Sequence, residues 1–272
     1  MAIITISHGA FTGGSEIAEK AAANLNYRCV NREVLLEASR RYGIAEAKFE
    51  EVLETQGHWW ERWMESLRLY RITLQAAMCE VAQKGDLVYH GRAGQALFPG
   101  IRHVLRVLTV ADVDTRTSKV KALRGLDEEG AQRYLKEMDR VRSRRLRSLF
   151  NIDWLDSQLY DLVINTSRID LDTAAFLIAE AARRPEYQPT PESEKAFSDL
   201  TTTARVQAAL ITSPRTRNVI LNVQSDGGRV KISGILADSE LEKEIVEIAK
   251  KVDGITEVIT DIEPPPIEYM HP

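Results

Sequence analysis

The chain has 272 residues, enough for two domains, and its 44% apolar and 28% charged residues are typical of a globular protein. A net charge of −4 gives no overall attraction to nucleic acid or anionic lipid, and two cysteines are too few for a disulfide framework. No apolar run approaches the ~18 residues that span a bilayer, and no signal peptide is recognisable, so we expect a cytoplasmic protein without nucleic-acid or membrane partners.

Short β-branched runs alternate with helix-forming segments over the first 182 residues. Strands are predicted at 2–7, 86–90, 103–110 and 159–165, and helices at 15–25 and 171–182. Strands separated by long helical segments favour an α/β fold, in which helices cover both faces of a parallel sheet. Ligands of such folds bind beyond the carboxyl ends of the strands.

The segment between Gly57 and Gly85 predicts a helical insert. Its apolar residues recur at alternating intervals of three and four, the spacing of a seam between two packed helices: Trp60, Trp63, Leu67, Tyr70, Leu74, Ala77 and Val81. This face packs either against a predicted helix at 45–55 of the same chain or against a second copy, in a homodimer formed through the helix at 60–81.

A proline-rich stretch predicts the domain boundary. Three prolines between 185 and 191 favour an extended linker over 185–197, which leaves a first domain at 1–184. Residues 192–272 hold 9 Lys+Arg and 14 Asp+Glu, whereas the preceding residues are nearly neutral. The second domain is predicted at 198–263, and a tail follows from the proline run at 264–266.

The second domain reads as a small α+β fold in the order αββαβ. A helix at 198–211 precedes strands at 218–223 and 229–236, which the turn at 225–228 joins as a hairpin. A helix capped by Asp238 and a strand at 255–262 complete it. We expect an antiparallel sheet with helices on one face.

The first strand runs into a glycine-rich turn, residues 8–18 (HGAFTGGSEIA). Glycines let backbone N–H groups face an anion, and the following helix points its positive end at the same place. A complete phosphate loop has lysine before its Ser/Thr, whereas this chain has Gly14 before Ser15. The turn is therefore either a degenerate phosphate loop, with the Ser15 hydroxyl for Mg²⁺, or a structural turn that Ser15 caps.

Three segments carry a resemblance to the cytidylate kinase-like family, a branch of the P-loop nucleoside monophosphate kinases. The loop is similar to the family's S-R-x-x-G-S-G-G-R-E-I-A, residues 88–93 (VYHGRA) resemble its V-x-x-G-R-G/A, and 153–167 contain D-W-x-D and YDLVINTS. The resemblance covers residues 1 to about 183. It implies a P-loop fold and transfer of the γ-phosphoryl group of ATP, with Mg²⁺, to a nucleoside monophosphate, with CMP as the expected acceptor. The nucleotide phosphates would contact His8, Gly9, Thr12, Gly13, Gly14 and Ser15.

Two departures weaken the resemblance at the loop. The family has arginine where this chain has His8 and Ser15, and cytidylate kinases have aspartate where it has His90 and Ala93. Phosphoryl transfer depends on charge neutralisation, so the loss of two cations leaves a second interpretation. The protein would then be a weak or inactive nucleotide-binding sensor, coupled to its C-terminal domain.

The arginines supply the remaining positive charge. Five crowd residues 140–147, where related kinases have a lid over the transferring phosphate; Arg142 and Arg145 share a helix face and are the predicted catalytic pair. The alternative is a solvated basic helix face. Arg116 is placed by the resemblance at the nucleotide. Arg92 follows a buried strand and is the predicted contact of the acceptor phosphate.

The C-terminal segment resembles the BON domain over about 198–262, through residues 230–236 (VKISGIL), 252–258 (VDGITEV) and their two glycines. The family implies a lipid or other hydrophobic partner. Because this copy is acidic, ligand sensing or self-association is the better expectation, and the partner of the domain is unknown.

Overall fold

The computed structural model of the protein describes residues 2–31, 33–43, 60–91 and 93–265. Its contacts divide the chain into two compact units. The first unit comprises Met1–Glu33 and Ala82–Ser193, and the second comprises Val34–Val81 and Glu194–Pro272. Within the described ranges, no helix combines the length and apolar character that a membrane crossing requires.

A five-stranded parallel sheet forms the centre of the first unit. Its strands are β1 (Ile3–His8), β2 (Arg28–Val30), β3 (Leu87–His90), β4 (Val104–Val110) and β5 (Leu162–Asn165). They lie in the order β2-β3-β1-β4-β5, with β1 at the centre. The predicted parallel α/β architecture is therefore confirmed, and only β2 lacks a counterpart among the predicted strands.

Helices cover both faces of this sheet. They are α1 (Gly14–Leu25), α4 (Gly94–Leu97), α5 (Val113–Arg124), α6 (Glu128–Phe150) and α7 (Leu171–Ala182). The helices α2 (Glu33–Tyr42) and α3 (Trp60–Ala82) belong to the second unit. Alternate residues of the central strands, such as Ile4 and Ile6, pack against α1 and α7. Leu108 points to the other face and packs with Leu146 of α6 and with Trp154. Both faces of β1 are covered, so successive residues of the run IITIS are buried and its burial does not alternate.

The second unit contains α2 (Glu33–Tyr42), α3 (Trp60–Ala82) and α8 (Pro191–Thr212). Ile72 and Ala76 of α3 pack against Ala204, Ala208 and Ile211 of α8. The helical insert thus groups with the C-terminal segments, although the first domain was predicted to run unbroken from 1 to 184. The insert belongs to this unit because it packs on the apolar face of α8, and the local amino-acid composition does not indicate that contact.

The predicted helical seam lies on α3. Its members Leu67, Tyr70, Leu74, Ala77 and Val81 are buried in the single chain. The proposed packing partner at 45–55 lies outside the described residues, as do the side chains of Trp60 and Trp63. The homodimer through the helix at 60–81 stays a prediction.

A mixed three-stranded sheet with α9 (Ser239–Lys250) completes the second unit. The strands β6 (Leu221–Asp226) and β7 (Arg229–Ile235) form the predicted hairpin, whereas β8 (Glu257–Glu263) pairs with β7 in parallel. The expectation of an antiparallel sheet was wrong at this strand. A helix between two neighbouring strands makes a crossover, and a crossover brings the second strand back parallel.

The predicted linker at 185–197 is helical in its second half. Pro191 is the first residue of α8, a position where proline loses no hydrogen bond. The Thr190 hydroxyl accepts from the Ser193 N–H at 3.2 Å, and the Ser193 hydroxyl accepts from the Thr190 N–H at 2.9 Å. These reciprocal bonds form a capping box, so the third proline starts a helix where an extended linker was expected.

Candidate active site

The loop between β1 and α1, residues 9–13, lies at the carboxyl edge of the parallel sheet. It follows the central strand, where β3 and β4 flank β1 on either side. This is the place where open α/β sheets bind their ligands. The sequence-predicted residues His8, Gly9, Thr12, Gly13, Gly14 and Ser15 are all brought together here.

Two glycines of the β1–α1 loop are required by the fold. A Cβ atom on Gly14 would lie 2.2 Å from the Cβ of His8, far inside van der Waals contact. Gly13 has a φ of +81° and caps α1, and a Cβ there would lie 2.7 Å from the side chain of Leu171. The loop therefore brings the backbone of residues 13 and 14 closer to neighbouring atoms than any side chain allows.

The start of α1 presents free donors. In the described part of the chain, the backbone N–H groups of residues 13–16 have no protein acceptor. Gly13 is the N-cap residue and offers no side-chain hydrogen bond, so Ser15 is not the cap. The Ser15 side chain is exposed, and no protein partner is recorded for its hydroxyl among the described residues. Unpaired N–H groups at a helix N-terminus are suited to binding an anion.

Hydrogen bonds of three threonines stabilise the conformation of the β1–α1 loop. The buried Thr12 hydroxyl donates to the Gly9 carbonyl at 3.0 Å and lies 3.1 Å from the Thr109 hydroxyl on β4. The Thr166 hydroxyl contacts the carbonyl of Thr12 at 2.9 Å. Thr12 was predicted to contact phosphate, but in this structure its hydroxyl is directed into the loop and supports the backbone.

His8 ends β1 beside the loop. Burial lowers its pKa from 6.5 to about 4, and the charge of Arg142 acts in the same direction. Its ring centroid lies 6.1 Å from that of His90, at the end of β3. At neutral pH His8 is therefore uncharged, and it does not replace the arginine that the family has at this position.

Arg116 of α5 lies beside the loop with its guanidinium occupied. Nε donates to the Ala10 carbonyl at 2.9 Å, and the two terminal nitrogens bind the Asp139 carboxylate at 2.9 and 2.8 Å. This partly buried bidentate pair joins the loop to α6. In the structure, Arg116 therefore holds the loop in position. Its contact with the nucleotide stays a prediction.

Arg142 of α6 lies over the ring of Trp154, with its Cζ atom 5.1 Å from the ring centroid. Trp154 is buried and donates from Nε1 to the Ser143 hydroxyl at 3.0 Å. The far edge of the same ring is 3.5 Å from the position a Cβ on Gly9 would take. Trp154 therefore connects the arginine to the loop, and this cation–π contact brings Arg142 near His8.

Arg145 lies one turn further along α6 and is half-buried. Its neighbours Arg140 and Arg147 form exposed ion pairs with Glu137 and Asp153. Arg92, the predicted acceptor contact, lies outside the described residues. Among the described residues no cluster of three His, Cys, Asp or Glu side chains suits a metal ion.

Two functional contacts were not predicted from the sequence. Trp154 belongs to the D-W-x-D pattern, but its contact with Arg142 was not predicted, and neither was the pairing of Asp139 with Arg116. Their partners Arg142 and Arg116 are 12 and 23 residues distant. The sequence signal that could have indicated the first contact is a tryptophan that follows a segment with five arginines.

The model of the cytidylate kinase-like family matches residues 3–168, more than half of the chain. The chain belongs to the cytidylate kinase-like family. A second model, that of the BON domain, matches residues 198–264. Both resemblances found in the sequence are thereby confirmed.

This chain is similar to curated members of the family at low sequence identity. The cytidylate kinase of Methanocaldococcus jannaschii is 26% identical over 182 residues, which are 66% of this chain and 96% of that protein. The cytidylate kinase of Methanopyrus kandleri is 32% identical over 114 residues, which are 39% of this chain and 58% of that protein. A crystal structure of an uncharacterised protein from Eubacterium ventriosum has a TM-score of 0.52 at 24% identity. It covers 66% of this chain and 97% of that one, and supports the fold.

Proposed function

We propose that the protein transfers the γ-phosphoryl group of ATP to a nucleoside monophosphate, with CMP as the expected acceptor. The observation that carries this proposal is the β1–α1 loop, whose unpaired N–H groups surround the N-terminus of α1. The two relatives named above are cytidylate kinases, which favours the same reaction and acceptor.

The residues around the loop take complementary roles in this proposal. The N–H groups of residues 13–16 bind phosphate oxygens of ATP, and the hydrogen bonds of Thr12 keep the loop rigid. Arg142 and Arg145 neutralise the negative charge of the transferring phosphoryl group. Arg92 would hold the acceptor phosphate, whose oxygen forms the new P–O bond while the bond to the departing ADP breaks.

The donors present also fit a Mg²⁺ ion that arrives with ATP. Mg²⁺ keeps several waters and phosphate oxygens as ligands, so one protein hydroxyl is a sufficient anchor, and Ser15 offers an exposed one. When bound, the metal would offset the negative charge of the phosphates.

A second function is favoured by the charges at the loop. His8 is neutral and Arg116 is paired with Asp139, so two cations that would neutralise phosphate are not available there. The rate of transfer depends strongly on such cations. The protein would then bind nucleotides and transfer phosphate slowly or not at all, and its BON domain would report the bound state.

Both functions predict that nucleotides stabilise the native protein. Thermal unfolding with nucleoside mono- and triphosphates, each with and without Mg²⁺, should show an increase in Tm with ATP and Mg²⁺ together. Formation of CDP from ATP and CMP then separates the kinase from the sensor. If no nucleotide changes the Tm, neither function holds.

Ser15→Ala should weaken the Mg²⁺ dependence of ATP binding. Loss of one polar ligand corresponds to about 1–1.5 kcal/mol, or about a tenfold higher Mg²⁺ requirement. The measurement is a Mg²⁺ titration at fixed ATP, followed by the Tm. Ser239→Ala is the matched control because Ser239 is also exposed in the first turn of a helix, remote from the loop in sequence. Equal Mg²⁺ requirements in the two variants would exclude Ser15 as a metal ligand.

A further inference from the structure

A cleft of about 550 Å³ lies within the second unit, outside the candidate active site. Its wall is built from the end of α2, the end of α8 and the turn after α9. The volume is in the range of small-molecule sites. The helix α2 and the BON-domain segments both contribute to it, so neither alone forms the whole wall.

Positive side chains dominate the polar part of this cleft. Arg41, Arg205 and Lys251 line it, against one lining carboxylate, Asp253. Arg205 binds the buried Glu80 through two nitrogens, and Arg41 lies 3.3 Å from the same carboxylate. Even with Glu80 counted, the cluster keeps a net charge of +1.

Two of these cations remain accessible to a ligand. The Arg41 side chain is 45% exposed despite its contact with Glu80, and Lys251 is exposed with no ion pair recorded in the described residues. Arg205 is held more rigidly, because its side chain is only 19% exposed. The cleft therefore holds Arg205 in a fixed position, together with two exposed cations that a ligand can reach. This combination suits an anionic group.

The remaining wall offers an apolar surface and further donors. Ala209, Pro214 and Val252 contribute apolar atoms. The Tyr42 hydroxyl is buried and has no hydrogen-bond partner among the described residues. Burial raises the pKa of Tyr42 to about 12, so the phenol stays protonated and able to donate. A buried hydroxyl without a partner costs free energy.

We propose that this cleft binds a phosphate ester, with the phosphate between Arg41 and Lys251 and the apolar body against Pro214 and Val252. The shared chemistry admits two sources: a soluble phosphate ester and the head group of a phospholipid. The inference does not depend on kinase activity, because none of its residues belongs to the β1–α1 loop or α6.

The test compares neighbouring residues of the same type. Arg41→Gln and Lys251→Gln each remove one cation from the cleft, whereas Arg40→Gln and Lys250→Gln remove one from the next position, outside the lining. Glycerol 3-phosphate is titrated into the full-length wild-type protein and all four variants by calorimetry. Vesicles of phosphatidylglycerol, compared with phosphatidylcholine, form the second arm. Unfolding in urea verifies that each variant is folded.

We expect binding to weaken at least tenfold in Arg41→Gln and Lys251→Gln and to stay within twofold in the two neighbours. If this pattern appears with glycerol 3-phosphate, the source is a soluble ester. If it appears only with phosphatidylglycerol vesicles, the source is a lipid head group. The proposal is overturned if neither probe binds, or if all four variants bind with equal affinity, as they would if the phosphate occupied the β1–α1 loop.

Discussion

Replacing Arg142 with alanine is expected to lower kcat for phosphoryl transfer by about 100- to 1,000-fold, the usual loss when one preorganised donor to a developing charge is removed. Arg142 is held at the loop by its contact with Trp154, 5.1 Å from Cζ to the ring centroid. His8 is neutral and Arg116 is paired with Asp139, so few other cations at the loop can neutralise the charge of the transferring phosphoryl group. The measurement is CDP formation at saturating ATP and CMP.

The control for Arg142 lies two residues further along the same helix. Arg144 is exposed, and Arg144→Ala should leave kcat within twofold. Arg142→Lys keeps the charge but loses the planar stacking on Trp154, so we expect an intermediate rate. If the protein is a sensor without measurable transfer, the same comparison is made on ATP affinity, which should fall at least tenfold in Arg142→Ala only. Equal effects of Arg142→Ala and Arg144→Ala would mean that the basic face of α6 is merely solvated.

Local sequence signals predicted those parts of the fold that neighbouring residues determine. The helix α7 begins and ends at Leu171 and Ala182, as predicted, because Asp170 caps it. The glycine-rich turn was placed correctly because Gly13 and Gly14 have no substitute at such close contacts. The hairpin of β6 and β7 follows from the two glycines at 227 and 228, both of which have positive φ.

Features that depend on distant residues were not predicted. The start of α8 at Pro191 is an exception, because the reciprocal bonds of Thr190 and Ser193 that decide it are local and the prolines alone were interpreted as a linker. The helix periodicity in residues 140–147 indicates which arginines share a face, but not which one meets Trp154. The pairing of Arg116 with Asp139 likewise joins two helices, and no local pattern encodes it.

The free energy of unfolding should decrease as the pH is lowered from 6.5 to about 4, and His8 is the cause. Burial is the main reason that its pKa falls from 6.5 to about 4 in the folded state. Below pH 6.5 the unfolded chain binds a proton that the folded chain does not accept, so acid favours unfolding. Below about pH 4 both states are protonated and this loss ends.

His8→Gln should remove this part of the pH dependence while keeping a polar side chain of similar length. At about 1.4 kcal/mol per pKa unit, the full shift corresponds to at most about 3.5 kcal/mol, an upper bound because the ring keeps some contact with solvent. Urea unfolding of both proteins at pH 7 and pH 4.5 gives the comparison, since the other titrating groups are common to both. The wild type should lose up to about 2.4 kcal/mol more than the variant over this interval, because the titration is not complete at pH 4.5. Equal losses would show that His8 is protonated normally in the folded state, and its charge would then be available to a bound phosphate after all.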